Sequence, residues 1–129
     1  MIVPGLIGKS EIVVKEEDLV GWLGDAAVGV LSTPRLIQLL EEAAIEAIHE
    51  SIPPDQLSLG TQVKIKHLSP TPLGKKVTAH ALLKEVDKNR LFFLVEAYDE
   101  TEKVAEGEHE RILVSKERFF QKIEGKRAG

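Results

Sequence analysis

The chain of 129 residues contains no cysteine, which removes disulfides, thiolate metal sites and a cysteine nucleophile at once. Nor does any stretch approach the roughly 20 apolar residues of a membrane span. The first eight residues, MIVPGLIG, also lack the charged start and long apolar run of a signal peptide. No membrane partner is therefore expected, and the cytoplasm is the expected location. The formal net charge is -4, with acids and bases interspersed, which leaves no electrostatic footprint for a nucleic-acid backbone. No nucleic acid is expected either. The basic stretch 122–127 reads at least as well as a solvated tail as a binding patch. Gly-x-Ser-x-Gly elbows, phosphate-binding loops and dinucleotide fingerprints are missing, so serine-hydrolase and kinase readings fail. His49, His67, His80 and His109 are scattered without ligand spacing, and the sequence calls for no metal and no cofactor. It shows no internal repeat and no low-complexity segment.

What is present suits one α+β domain spanning residues 1–129, since a 43% hydrophobic content over this length fills one core but not two comfortable ones. Residues 10–15 read as a strand. Residues 16–23 read as a short helical turn, followed by a glycine-rich linker around Gly21, Gly24 and Gly29. Thr33-Pro34 is a strong helix start, with Thr33 as the cap and proline at the first helical position. That helix is expected from Pro34 to about Glu50, where Ser51-Ile-Pro-Pro-Asp55 ends it. The periodicity then changes to two. Over 61–67, Val63, Ile65 and His67 share one face, while Lys64 and Lys66 take the other. Further strands are expected at 76–86, with Val77, Ala79, Ala81 and Leu83 inward, then at 91–98 after a tight turn at 87–90, and at 103–114. A short helix at 116–122 completes an antiparallel sheet wrapped around a long central helix.

Glu41 is the conspicuous charge in this pattern. At 100° per residue, Ile37, Ala44, Ile45 and Ile48 fall within about 60° of it, so it sits inside the apolar arc. A carboxylate there must find partners or shift its pKa, because burying an unpaired charge costs several kcal/mol. Thr33 has an easy structural explanation as a cap, but the start of a helix also stabilises a developing oxyanion with its free amides and dipole. The two residues lie about 12 Å apart along the axis and could line one groove. His67 lies on the apolar parity of its strand, where a satisfied core histidine is the commoner case. Upstream, Gly60 in Ser58-Leu-Gly-Thr61 allows backbone to approach a ligand closely. His109 and Arg111 share one face of the last strand. Arginine there could grip a phosphate or carboxylate, and an ordinary ion pair with a nearby glutamate is the simpler reading.

Three motifs in order, Ser32-Thr33 leading into Leu39-Leu40-Glu41, then Ser58-Leu-Gly-Thr61 through His67 with Thr71-Pro72 beyond, and Gly107-x-His109-Glu110-Arg111, resemble the hotdog-fold thioesterases. The branch they resemble is typified by fluoroacetyl-CoA thioesterase. The resemblance implies a hotdog fold and hydrolysis of an acyl-CoA thioester. It implies that Thr33, Glu41 and His67 form the catalytic trio, that Gly60 makes a backbone contact near the thioester, and that Arg111 contacts the substrate. It further implies a homodimer or dimer of dimers, with active sites at the subunit interface. The likeness is weaker over 21–29, which is rich in small residues, so the expected substrate is a short or medium acyl-CoA rather than fluoroacetyl-CoA itself. Lys64, Lys66, Lys75 and Lys76 could meet the phosphates of CoA, although solvated strand faces commonly look like this. The competing reading is a non-catalytic acyl-CoA-binding or regulatory hotdog module. A hydratase or dehydratase fits the motifs poorly.

Overall fold

Leu36, Leu39, Leu40, Ala43, Ala44 and Ile48 recur at helical spacing, and in the computed structural model of the chain, which describes residues 2–19 and 29–129, they form the buried stripe of helix α1 (Thr33–Ile48). Each is at most 1% exposed. Burying one leucine is worth about 1.5–3 kcal/mol, so this stripe alone determines which side of α1 faces inward. A short 3-10 turn, His49–Ser51, follows the helix.

Five strands, β1 (Ile7–Val13), β2 (Gln56–His67), β3 (Lys76–Asp87), β4 (Arg90–Tyr98) and β5 (Lys103–Ser115), form one antiparallel sheet. Their order is β1-β3-β4-β5-β2. Val77, Ala79, Ala81 and Leu83 of β3 point to the core, as their alternation predicts, and Leu91, Phe93, Val95 and Ala97 of β4 join them. The turn between these strands places Lys88 at φ 57°, the left-handed region that ordinary residues visit rarely. The sheet curls over α1. On β1, Gly8 lets the helix approach, because a Cβ there would run into the Ala43 carbonyl oxygen and lie 2.5 Å from the Ala47 amide nitrogen.

Several boundaries differ from those read off the sequence. The first strand starts three residues earlier than expected, at Ile7, because its pairing with β3 begins at Leu82 and runs in step to Lys76. Only Glu16–Asp18 of the expected 16–23 turn is helical among the described residues. Residues 20–23 of that turn, and Gly21 and Gly24 of the expected linker, lie outside the described residues. β2 begins at Gln56 rather than residue 61, since β5 offers it a partner along its whole length. The last helix, α2 (Lys116–Ala128), runs six residues past the expected end and buries no side chain.

The cap of α1 is also displaced by one residue. Ser32 is the N-cap, its hydroxyl accepting from the Arg35 amide at 3.2 Å, and Thr33 is the first helical residue. The apolar arc assigned to α1 is rotated as well. Ile45 is 41% exposed, Ile37 is half-buried, and Glu41 stands on the flank of the buried stripe rather than within it.

Candidate active site

The lead into α1 is held firmly. Leu31 donates its amide to the Thr71 carbonyl at 2.8 Å, and Ser32 donates to the Asp18 carbonyl at 2.7 Å. Asp18 also takes the Arg35 Nε–H at 3.2 Å, while Arg35 Nη1 reaches Glu42 at 3.2 Å. Thr71 is fully buried and donates its hydroxyl to Asp99 at 3.0 Å. These contacts present Thr33 at a defined place at the helix start.

Because Ser32 performs the capping, the Thr33 hydroxyl is free for another partner. It lies 2.7 Å from Nδ1 of His67, at the last position of β2. The imidazole is half-buried. Desolvation lowers its pKa below the ordinary histidine value, with a backbone hydrogen bond at Ser69 acting the other way. At neutral pH the ring is therefore neutral and able to accept a proton. A hydroxyl hydrogen-bonded to a neutral imidazole is the arrangement that lets a hydroxyl or a water molecule give up its proton.

The helix start offers fewer amides than its position promises. Pro34 has no N–H, the Arg35 N–H is taken by Ser32 Oγ, and the Ser32 N–H is taken by the Asp18 carbonyl at 2.7 Å. Three of the four donors a helix terminus usually leaves open are thus missing or used.

Glu41 belongs to a second group, two turns along α1. Its Oε2 lies 3.4 Å from Arg111 Nη1 and 3.9 Å from His109 Nε2, so the carboxylate has found partners on β5. Arg111 is 5% exposed. It donates from Nε to the Ser58 hydroxyl at 3.0 Å, from Nη2 to the Ser58 carbonyl at 3.2 Å, and from Nη1 to His109 Nε2 at 3.1 Å as well as toward Glu41. Four of its five N–H groups are thereby engaged, which leaves little for a ligand. Desolvation pulls the arginine pKa down and the Glu41 charge opposes it.

Gly60 closes this group. A β-bulge between Gly60 and Gln62 leaves Thr61 outside the register and turns the inner face from Val63 to Gly60, three residues away. A Cβ on Gly60 would lie 2.8 Å from Glu41 Oε2 and 3.3 Å from both Arg111 Nη1 and His109 Cε1. The missing side chain is what gives the carboxylate its place.

Of the five residues singled out from the sequence, the fold brings Thr33 and His67 together in one contact and Glu41, Gly60 and Arg111 in another. No hydrogen bond or ion pair joins the two groups among the described residues. Glu41 stands eight residues along α1 from Thr33, a gap of about 12 Å between backbones. Ser58 was legible only as part of a motif, and His109 only as part of another and by sharing parity with Arg111. Their role in holding Arg111 needed the β2–β5 pairing. Among the described residues, no cluster of His, Asp or Glu side chains is suited to hold a metal ion, and no helix is long and apolar enough to cross a membrane. The most spacious of the described cavities, about 790 Å³, is lined by none of those five residues and lies against Ile7, Leu82, Leu94 and Tyr98. Thr33 itself is exposed.

Comparison with known proteins follows the same line. The profile of the fluoroacetyl-CoA-specific thioesterase family matches residues 14–117. Fluoroacetyl-CoA thioesterase from Streptantibioticus cattleyicolor is 34% identical over 97 residues, 75% of this chain and 70% of its own. A solved mutant of the fluoroacetyl-CoA-specific thioesterase superposes with a TM-score of 0.87 at 30% identity, covering 98% of each chain. Another mutant of that protein, in complex with acetyl-CoA, gives 0.86 at 27% identity, over 97% of this chain and 98% of that one. A Thermus thermophilus hypothetical protein, described as a thioesterase superfamily member, gives 0.88 at 25% identity, over 99% of this chain and 97% of its own.

Proposed function

The chain belongs to the fluoroacetyl-CoA-specific thioesterase family, a hotdog-fold group of thioester hydrolases, and we propose that its own substrate is a short or medium acyl-CoA. The family carries the reaction class, hydrolysis of an acyl-CoA thioester. The observation that carries the site is the 2.7 Å contact between the Thr33 hydroxyl and His67 Nδ1, with a half-buried Glu41 two turns along the same helix. The complex of a relative with acetyl-CoA supports a small acyl group. The fluoroacetyl preference in the relatives' names is not assigned to this chain.

In this mechanism the thioester carbonyl lies between the two groups, with its oxygen against backbone near Gly60. The scarcity of free amides at the start of α1 supports Gly60 over the helix terminus for that task. Glu41 either attacks the carbonyl carbon or takes a proton from the water that does. In the first route the C–S bond breaks, the sulfur leaves with the electron pair, and water then hydrolyses the acyl–Glu41 anhydride, giving its proton to His67. In the second, the hydroxide adds directly, the sulfur leaves as thiolate, and the proton taken up by Glu41, or one from solvent, neutralises it. Thr33 orients His67 or the water. Each such group is worth about 100-fold or more when well placed.

Among the described residues, no strand pairs with the outer edge of β2. β2 is an edge strand of twelve residues, and a long, half-apolar edge of this kind demands a partner. Pairing with β2 of a second copy would extend the sheet and close the groove, which makes the working form a homodimer or a dimer of dimers. In this reading the enzyme acts in the cytoplasm.

The experiment is thiol release from a panel of acyl-CoAs of increasing length, with wild type beside Glu41→Gln. The protein has no cysteine of its own and adds no background. Hydrolysis of short chains that falls about 100-fold or more in the variant supports the reading. Hydrolysis unchanged in Glu41→Gln removes Glu41 from the centre, and binding without hydrolysis would favour the non-catalytic module.

A further inference from the structure

His109 has no part in the reaction described above, yet it is 3% exposed and both its ring nitrogens are engaged. Nδ1 lies 2.8 Å from the Gln62 carbonyl, which only accepts, so Nδ1 carries the proton. Nε2 lies 3.1 Å from Arg111 Nη1, which only donates, so Nε2 offers its lone pair. Geometry alone thus requires a neutral imidazole in the Nδ1–H form. Phe93 stacks against the ring with centroids 6.0 Å apart, fixing its plane. The desolvation that lowers the pKa of this histidine acts in the same direction.

The consequence falls on Arg111. With Nε and Nη2 held by Ser58 and one Nη1 proton held by His109, the second Nη1 proton has one direction left, toward Glu41 Oε2 at 3.4 Å. We infer that His109 is a positioning residue which, through Arg111, aims the Glu41 carboxylate over Gly60 for its part in thioester hydrolysis. The inference rests on the reading of Glu41 given above. It makes Arg111 chiefly a holder of Glu41 rather than a grip for CoA phosphates. Gly60 belongs to the same device, since any side chain there would meet all three members.

A double-mutant cycle separates this role from ordinary packing. His109→Phe keeps the ring and its stacking but loses the acceptor for Arg111; His109→Gln can offer an amide oxygen near the place of Nε2. In the active dimer, His109→Phe is expected to lower kcat about tenfold or more, a displaced catalytic group being enough for that, with KM for the best acyl-CoA of the panel changed less than about threefold. His109→Gln should recover most of the rate. Combined with Glu41→Gln, His109→Phe should add little further loss, because it acts through the group already removed. Losses that multiply, or a raised KM with kcat intact, would overturn the inference. A nitrogen-15 spectrum of the imidazoles gives a second readout, independent of turnover: His109 must show the neutral Nδ1–H form at neutral pH, and an imidazolium or Nε2–H signal would also overturn it. If Glu41→Gln proved fully active, the failure would belong to the assignment of Glu41, and the spectrum would still decide whether His109 holds Arg111 as drawn.

Discussion

The Thr33 hydroxyl stands 2.7 Å from Nδ1 of His67, and it can do so because Ser32, one residue earlier, caps α1. A cap hydroxyl turns back onto its own helix amides. Moving that task by one residue releases the threonine toward the end of β2, and makes the stability of the helix and the chemistry of the site separable by mutation.

Ser32→Ala should therefore cost about 1 kcal/mol of stability and lower the thermal midpoint by about 3–5 °C, with turnover of the folded enzyme largely kept. Thr33→Ala should do the reverse, leaving the midpoint nearly unchanged while kcat for acyl-CoA hydrolysis drops about tenfold or more. Thermal unfolding and thiol release on both variants read this directly. A Thr33→Ala enzyme that turns over like wild type would take Thr33 out of the reaction centre.

The glycines make a second contrast. At Gly8 and Gly107 an added Cβ meets backbone, namely the Ala43 carbonyl and Ala47 amide in one case and the Lys64 carbonyl and Ile65 Cα in the other. Alanine at either should destabilise by about 1–3 kcal/mol or more, since helix and strand must shift. At Gly60 the nearest atom is the end of the Glu41 side chain, which can move aside. Gly60→Ala should remain folded and lose activity. Urea midpoints beside kcat/KM distinguish the cases, and an active Gly60→Ala enzyme would argue against a crowded carboxylate site.

Acid should weaken the fold in two steps. Burial lowers the pKa of His67 and of His109 from the ordinary 6.5, so the unfolded chain takes up protons first as the pH drops. Stability from these two groups is full above about pH 6.5 and declines below it, until the folded values are passed. Asp99 acts lower. Desolvation pushes its carboxyl up, but the amides of Thr101 and Glu102 and the hydroxyls of Thr101 and Thr71 outweigh that and hold it below 3.8. Its contribution is present above that value and is lost as pH falls through the folded one. Urea titrations between about pH 5 and 8 should show the first step. The acid limb of kcat/KM, if His67 works as a base, should have its midpoint below 6.5; a midpoint above it would point to another group.

The open edge of β2 gives the fourth expectation. In solution the scattering mass should be at least twice the 14.2 kDa of the chain, and turnover per chain should fall on dilution as dimers separate. A fully active monomer would show that one protomer builds the whole site.

The order of elements along the chain, the inward face of β3, the helix starting near Thr33 and the strand ending in His67 were all legible in the chain itself. These features follow from spacing between near neighbours, since helical and two-residue periodicities are local and proline acts on the residues beside it. The choice of Ser32 over Thr33 as cap was not legible, because both residue types cap well and the decision depended on what lay opposite, His67 and the Asp18 carbonyl. Strict alternation back from His67 would have put Thr61 on the inner face. A bulge, which exists only through pairing with β5, put Gly60 there. Glu41 could be recognised as a charge out of place, but its partners stand about 70 residues away on β5. Which strand lies beside which is settled by packing the whole sheet around α1. Residue types and their local periods determined what the site could contain, while tertiary pairing decided which of those groups touch.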